Sequence, residues 1–529
     1  MLRVAVSPSA ASAIRVTAIR SGRACTAGED VRIDNPRWMM AKPLHGVARR
    51  IDSEARLVGS GGVNVTGICQ DSRRVRTGEL YVALPGRRHH GAQFVVEAAR
   101  RGAVAMLSDR ASEVLPTVVV DDPRRVLGPL ASWIYGYPST ALDVYGVTGT
   151  NGKTSTAYLL DAGLRGTGVS TGMITGISVR GGDGERSAAR TTPEACDLQQ
   201  TLAAFTGAQI GAVAMEVSSH GLALHRVDGT HFRVGVFTNL ARDHLDFHPD
   251  MNAYFAAKAR LFAPEHCAAA AIGIDDDFGR RLAATVLVPR LTFSTTTMDA
   301  DLYAHGIHAD EGGTSFTLYG AGTAKPVRLR LLGPHQVDNA LAALTALVAR
   351  GGVDLDAAID GIERLETVPG RLEPVDAGQP FLAFVDYMHN TAGQRRLFPY
   401  LRSLTGGKII AVVGATGDRD PGKRVPLGET AAYFADTVIV TDESPCFDDA
   451  QQLRNDVARG ARKGGNAEVL VLPDRTEAIA AAVACAGRGD VVVVAGRGHD
   501  RVQVYNGDRR IFDDRVVLHN ALTQLNTSE

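Results

Sequence analysis

The segment Gly146-Val-Thr-Gly-Thr-Asn-Gly-Lys-Thr154 constrains the fold of this chain more than any other. It closes the apolar run Val144–Val147 and opens the helical pattern Thr154–Leu164. A glycine-rich turn between a strand and a helix gathers backbone N–H groups at the helix N-terminus, which makes a nest for anionic oxygens. Lys153 then stands where it can reach the β/γ-phosphates of a nucleotide, and the Thr154 hydroxyl where it can ligate Mg²⁺. The spacing departs from GxxxxGK[ST], because Val147 holds the first glycine position. Such a turn belongs to a βα unit, so a mostly parallel sheet is expected around it.

The flanking sequence extends that reading. At 529 residues the chain is too long for one core, and three domains of ordinary size are expected. The first block holds strand candidates Val63–Cys69, Glu79–Ala83 and Val104–Leu107, with a helical stretch Gln93–Arg101. The second adds buried-strand runs Ala212–Val217 and Val234–Thr238 and the helices Leu341–Arg350 and Asp354–Arg364. Val368-Pro-Gly-Arg371 reads as a hinge. Beyond it, Phe381–Asp386, Ile409–Val413, Thr437–Thr441, Val469–Leu472 and Val491–Ala495 alternate with helices such as Ala450–Arg462 and Thr476–Ala486. The expected fold class is α/β in three domains, with a central P-loop-type doubly wound sheet, a C-terminal Rossmann-like sheet and a small N-terminal α/β domain. The expected boundaries are 56–138, 139–367 and 368–529.

Residues 1–55 are expected to be a disordered extension. Arg3, Arg15, Arg20 and Arg23 with many Ala and Ser give its start the look of a transit segment, and Met39 or Met40 offers an alternative start. A formal net charge of -1 supplies no general pull toward nucleic acid or membrane. Six scattered cysteines without a CxxC pair argue against a disulfide framework or zinc site and fit a cytoplasmic protein. No apolar run approaches the roughly 18–20 residues of a membrane span.

Polar residues cluster after two apolar runs. Glu216 ends one and is followed by Ser218, Ser219 and His220, while Asn239, Asp243, His244 and Asp246 follow the next. Ligands of open α/β sheets collect beyond the carboxyl ends of strands, so these groups are expected to converge on the phosphate turn. Oxygen donors such as Glu216 and Thr154 suit Mg²⁺. Lys258 lies in the predicted helix Tyr254–Phe262 beside an apolar face, where a lysine ordinarily snorkels.

Several motifs resemble the Mur ligase family over residues 60 to the end. They are Gly149-Thr-Asn-Gly-Lys-Thr154, Thr191-Thr-Pro-Glu194, Glu216-Val-Ser-Ser-His220, Asn239-Leu-Ala-Arg-Asp-His-Leu-Asp246, Tyr254…Lys258, Gly333-Pro-His-Gln-Val-Asp-Asn339, Gly370-Arg371, Asp386-Tyr-Met-His389, Gly417-Asp-Arg-Asp420 and Gly496-Arg-Gly-His-Asp500. Asp71-Ser-Arg73 and Thr-Thr-Pro are similar to the branch that adds the third residue of the peptide stem. The resemblance implies an ATP-dependent ligase that adds an amino acid to UDP-N-acetylmuramoyl-L-alanyl-D-glutamate through an acyl phosphate, for peptidoglycan synthesis and cell-wall biogenesis. It implies a UDP-binding first domain, two Mg²⁺ ions and a cytoplasmic monomer.

Carried over by position, Gly149, Thr150, Asn151, Gly152, Lys153 and Thr154 would hold ATP together with Asn339 at the adenine, Arg371 near the phosphates and Asp386 near the ribose. Lys153, Glu216, His244 and Lys258 would carry the chemistry. Thr154, Glu216, His244 and Lys258 would ligate metal, with Lys258 carbamylated. Ser72 would touch the UDP part, and Thr191, Thr192, Ser218 and Arg226 the muramoyl-dipeptide. Arg419, Glu443, Ser444, Cys446, Gly496 and Asp500 would form the amino-acid pocket.

That pocket departs from the family pattern. Diaminopimelate-adding members carry Asp-Asn-Pro-Arg where this chain has Glu443-Ser-Pro-Cys446, and a cysteine cannot make the two-pronged carboxylate contact of an arginine. Gly-Lys-Gly-His-Glu is here Gly496-Arg-Gly-His-Asp500, and His-Thr-Pro is His389-Asn-Thr391. Diaminopimelate, L-lysine and an unusual amino acid all stay open. The alternatives are a paralogue joining a non-standard amino acid, another ligase of folylpolyglutamate or cyanophycin type, and a catalytically idle nucleotide-binding homologue.

Overall fold

The computed structural model describes residues 40–51, 55–86, 89–182 and 184–528. Among these residues three main sheets form, of five, eleven and six strands, each inside one of the three expected blocks.

The central sheet positions the site. Its strand Asp143–Thr148 is apolar and buried along most of its length, as a strand covered on both faces must be. It pairs in parallel with Ala212–Glu216 on one side and with Val234–Phe237 on the other. Thr171–Ile174, Ala270–Gly273, Arg290–Ser294 and Leu302–Asp310 extend the parallel arrangement outward. Antiparallel strands close both edges: Ser178–Gly181 and Gly184–Ser187 at one, Gly313–Gly320 and Thr323–Leu329 at the other. Since the carboxyl ends of three neighbouring strands lie together, the loops after Thr148, Glu216 and Phe237 must share one corner. The helices Lys153–Gly166 and His335–Arg350 pack into one face, where Leu159, Leu160, Leu341, Leu344 and Leu347 are buried together.

In the small first sheet the strand order is Arg56–Val58, Thr117–Val119, Ala105–Ser108, Glu79–Ala83, Gly67–Cys69. The single run Val63–Cys69 is in fact two strands. Asn64–Val65 pairs with Lys42–Pro43, whereas Gly67–Cys69 joins the sheet. Moreover, Leu44 and Val47 of the helix Leu44–Ile51 sit fully buried in this core. Residues 42–51 thus pack as part of the first body and not as a disordered extension, because their apolar side chains complete its core. The expectations for residues 1–39 lie outside the described residues.

The C-terminal sheet runs Glu373–Pro374, Leu382–Asp386, Val491–Ala495, Ile409–Val413, Thr437–Val440, Glu468–Val471, parallel except for the first short strand. Beneath it lies a buried ion pair. Arg475 donates in a fork to Asp514 at 2.7 Å from both Nε and Nη2, and both side chains are 0% exposed. Arg497 approaches the same carboxylate at 3.7 Å. Removing the anion would strand two buried guanidiniums. Asp514→Ala is therefore expected to destabilise this body by about 3–5 kcal/mol, seen as an earlier transition in urea unfolding.

Candidate functional site

The turn after Thr148 is held by its glycines. Gly149 has φ 151° and Gly152 φ 87°. A Cβ at Gly149 would lie 1.9 Å from Thr238 Oγ1, and one at Gly152 2.3 Å from Asn339 Oδ1. Only glycine lets the turn approach both neighbours this closely. Lys153 begins the helix and donates from Nζ to the carbonyls of Gly149 (3.0 Å) and Thr150 (2.9 Å). Next to it, Thr154 donates to Glu216 Oε1 at 2.9 Å, and the same oxygen accepts from Gly176 N at 2.9 Å.

Lys258 reaches the same turn from the helix Met251–Ala259. Its Nζ donates to the Gly149 carbonyl at 2.7 Å and lies 4.6 Å from the Tyr254 ring centroid. Burial and the neighbouring Lys153 charge hold the Lys258 ammonium well below its ordinary range. The apolar face that made this lysine look like a snorkelling residue instead buries it.

His244 sits in the left-handed region at φ 57°, with a buried Nδ1 that has no hydrogen-bond partner. Burial pushes its imidazole down to about 2. His220 stands edge-on to it, ring centroids 4.9 Å apart. Burial and the Arg419 charge push His220 down to about 4. Both rings thus sit well below the ordinary imidazole range.

A cleft of about 510 Å³ gathers these groups. Thr150–Thr154, Glu216, His244 and Lys258 line its floor; Thr191, Thr192, Ser218 and Arg226 line one wall. The other wall comes from the C-terminal body: Arg371, Tyr387, His389, Arg419, His499 and Asp500. Thr192 is buried, with its hydroxyl 3.0 Å from both the Glu216 carbonyl and Ser218 Oγ. Arg226 pairs with Glu194 at 2.9 Å. Arg371 crosses between the bodies, donating to Thr154 Oγ1 at 2.8 Å while its guanidinium stacks 4.5 Å from the Tyr387 ring. Burial raises the Asp500 carboxyl to about 6 against the pull of Arg497.

A smaller adjoining cavity is lined by Asn151, Gly152, His335, Asn339, Arg371, Asp386 and Arg396. Asn339 donates to Gln336 Oε1 at 2.9 Å. Asp386 accepts from Leu372 N at 2.6 Å, and burial raises its carboxyl in spite of Arg371.

Other expected residues stand apart from the cleft. Ser72 belongs to the first body and donates to Glu97 at 2.7 Å. Glu443 is buried and accepts from Thr416, with a Cβ at Gly496 placed 2.4 Å from its Oε2. Ser444 Oγ accepts from Val504 N at 2.9 Å. Cys446, at φ 55°, exchanges backbone hydrogen bonds with Val504 and Asn506.

Sequence reasoning left His335, Arg396, Tyr387, His389 and His499 without roles, although all of them line the two cavities. His335, Tyr387, His389 and His499 all lie inside the family motifs, so motif membership was the available signal for them, and Arg396 carried none.

Comparison with known proteins bears on this arrangement. Residues 64–132 match the model described as "Mur ligase family, catalytic domain", 147–347 the "Mur ligase middle domain" and 370–498 the "Mur ligase, glutamate ligase domain". A Streptomyces avermitilis protein named UDP-N-acetylmuramoyl-L-alanyl-D-glutamate--2,6-diaminopimelate ligase is 47% identical, over 87% of this chain and 93% of that one. The chain belongs to the Mur ligase family. A protein of the same name from Streptomyces coelicolor is 45% identical over 92% of this chain and 97% of that one. Among solved structures, one titled as such a ligase superposes with TM-score 0.63 at 29% identity, covering 92% of this chain and all of the other. The Thermotoga maritima MurF ligase in complex with ADP shares the fold, with TM-score 0.64 at 21% identity over 88% of this chain and 99% of that one. As a Mur ligase, the chain is an ATP-dependent, amide-bond-forming enzyme.

Proposed function

We propose that this Mur ligase adds the third amino acid to UDP-N-acetylmuramoyl-L-alanyl-D-glutamate, as a cytoplasmic monomer supplying peptidoglycan precursor. One observation carries the reading. The phosphate turn opens into a single cleft whose two walls hold Thr191, Thr192, Ser218 and Arg226 on one side and Arg419 and Asp500 on the other. That arrangement supports a phosphate source, a carboxylate donor and an amine sharing one floor.

The chemistry follows from what a carboxylate lacks. It is a poor electrophile, so ATP first converts it into an acyl phosphate with loss of ADP. The amine then attacks, and phosphate leaves with formation of the amide. Lys153 and Arg371 supply positive charge beside the transferring phosphoryl group, and the turn's N–H groups hold it in place. Thr192 and Ser218 orient the donor, and Arg419 suits the α-carboxylate of the incoming amino acid.

The donor set fits magnesium. Thr154 and Glu216 offer oxygens 2.9 Å apart, and His244 offers a buried nitrogen without a partner. Among the described residues no three His, Cys, Asp or Glu side chains form a metal cage, but magnesium keeps waters and substrate phosphates in its shell and needs none. Bound there with ATP, it would neutralise charge developing on the phosphoryl oxygens.

For the amino acid we infer a diamino acid, the class named by the diaminopimelate-adding relatives. Asp500, which lines the cleft, suits its distal ammonium. Phosphate release from ATP with UDP-muramoyl-dipeptide should be strong with meso-diaminopimelate or lysine and weak with monoamino acids. Release that favours a monoamino acid would overturn this side-chain reading alone. Release that ignores the UDP substrate would overturn the proposed reaction.

The Asp500 carboxyl titrates at about 6, and its charged form is the one that binds an ammonium. The KM for the amino acid should therefore rise as pH falls below that value and level off above it. Asp500→Asn should flatten the profile.

A further inference from the structure

Asp243 has no role in the reaction just described, yet it is among the most committed groups in the molecule. It follows the strand Val234–Phe237 in the central body and is 3% exposed. Three C-terminal side chains converge on its carboxylate. His389 Nε2 lies 3.0 Å and Asn390 Nδ2 3.5 Å from Oδ2, and Lys423 Nζ lies 3.6 Å from Oδ1. The remaining lone pair at Oδ1 accepts from His244 N at 3.0 Å.

The same contact set extends to the phosphate turn. Asn390 Nδ2 donates to Asn151 Oδ1 at 3.1 Å, and Asn151 Nδ2 to Asn390 Oδ1 at 3.4 Å, a reciprocal amide pair between the bodies. Asn390 also caps the helix Thr391–Ser403 by accepting from Gly393 N at 2.9 Å, which fixes its side chain. His389 Nδ1 is 2.8 Å from the Tyr387 carbonyl, so its ring is fixed as well. Arg242 and Asp420 add a contact at 3.3 Å on the rim.

We propose that Asp243 is a positioning residue, the central-body half of a latch whose other half is His389, Asn390 and Lys423. A buried carboxylate recovers its lost hydration only where all its donors arrive together, so the contact selects one angle between the bodies. That angle is the one that brings Arg371, Arg419 and Asp500 to the cleft. Because Asp243 adjoins His244 and Asn390 grips Asn151, seating the latch and assembling the phosphate site are one event. Contacts of this kind exist only in the closed arrangement, where they favour turnover more than initial binding.

A double-variant cycle tests this on the full-length chain, with small-angle scattering of the ligand-free protein as a readout independent of chemistry. Asp243→Ala and His389→Ala should each lower kcat about tenfold or more, with the KM for UDP-muramoyl-dipeptide within about twofold. The double variant should be no worse than the poorer single one, and each should enlarge the radius of gyration. Asp243→Asn keeps the side chain's shape and replaces Asp243→Ala in the cycle if the latter fails to fold. The latch is overturned if Asp243 variants lose activity while His389→Ala keeps it. It is equally overturned if the two losses multiply or if the scattering is unchanged.

Discussion

Lys153→Ala should leave the chain folded and lower kcat by roughly a thousandfold or more, equivalent to about 4 kcal/mol of transition-state stabilisation. The direction follows from where the ammonium sits. It lies at the start of the helix Lys153–Gly166, within 3.0 Å of two carbonyls of the phosphate turn. Burial holds this lysine below its ordinary range, with the nearby Glu216 carboxylate acting the other way, and an arriving phosphate would favour its charged form. Alanine suits a helix start and leaves the backbone nest in place, so the loss should fall on chemistry more than on folding. Arginine should restore little, since its planar fork does not fit a position shaped for a compact ammonium. Single-turnover phosphate release, measured beside the thermal unfolding of each variant, checks the prediction. Near-normal release by Lys153→Ala would remove the lysine from the reaction.

Lys258→Ala should cost about a hundredfold or more in kcat and should be partly restored by formate or acetate. The side chain is 1% exposed and carries two contacts, the Gly149 carbonyl and the Tyr254 ring. Held well below its ordinary range, the amine is available in its neutral form, which is the form that attacks carbon dioxide. The product of that attack is a carbamate, formed with one new N–C bond and the release of one proton. It would place an anion beside Thr154, Glu216 and His244, where a cation needs one. Labelled bicarbonate should give a carbamate carbon resonance in the wild-type chain and none in Lys258→Ala. No rescue by carboxylates, together with full wild-type activity in bicarbonate-free buffer, would count against the carbamate.

How much of this was legible depended on the distance over which each signal acts. Ile409–Val413 and Val491–Ala495 are unbroken apolar runs, and both are strands with those limits. The phosphate turn declared itself because glycine, lysine and threonine are required within one short segment. Helix His335–Arg350 was expected to begin only at Leu341, since Gln336 and Asn339 are polar. They are buried all the same, and Asn339 lines the smaller cavity. The strand Leu302–Asp310 escaped notice because most of its residues beyond Ala304 are exposed and carry no apolar alternation. The second cleft wall was harder still. Asp243 and His389 stand 146 positions apart, and nothing local to either implies the other. Residue chemistry could nominate them, but only the closed arrangement of two sheets brings them together.

The central claim is that triphosphate, cations and both substrates converge where the strands ending at Thr148, Glu216 and Phe237 meet the turn bearing Lys153. A crystal structure of the full chain with a non-hydrolysable ATP analogue and magnesium tests it most directly. The expected result is phosphates on residues 149–154, the base against His335 and Asn339, and a cation touching Thr154 and Glu216. A nucleotide bound elsewhere, or Glu216 and Lys153 turned away from the phosphates, would contradict it.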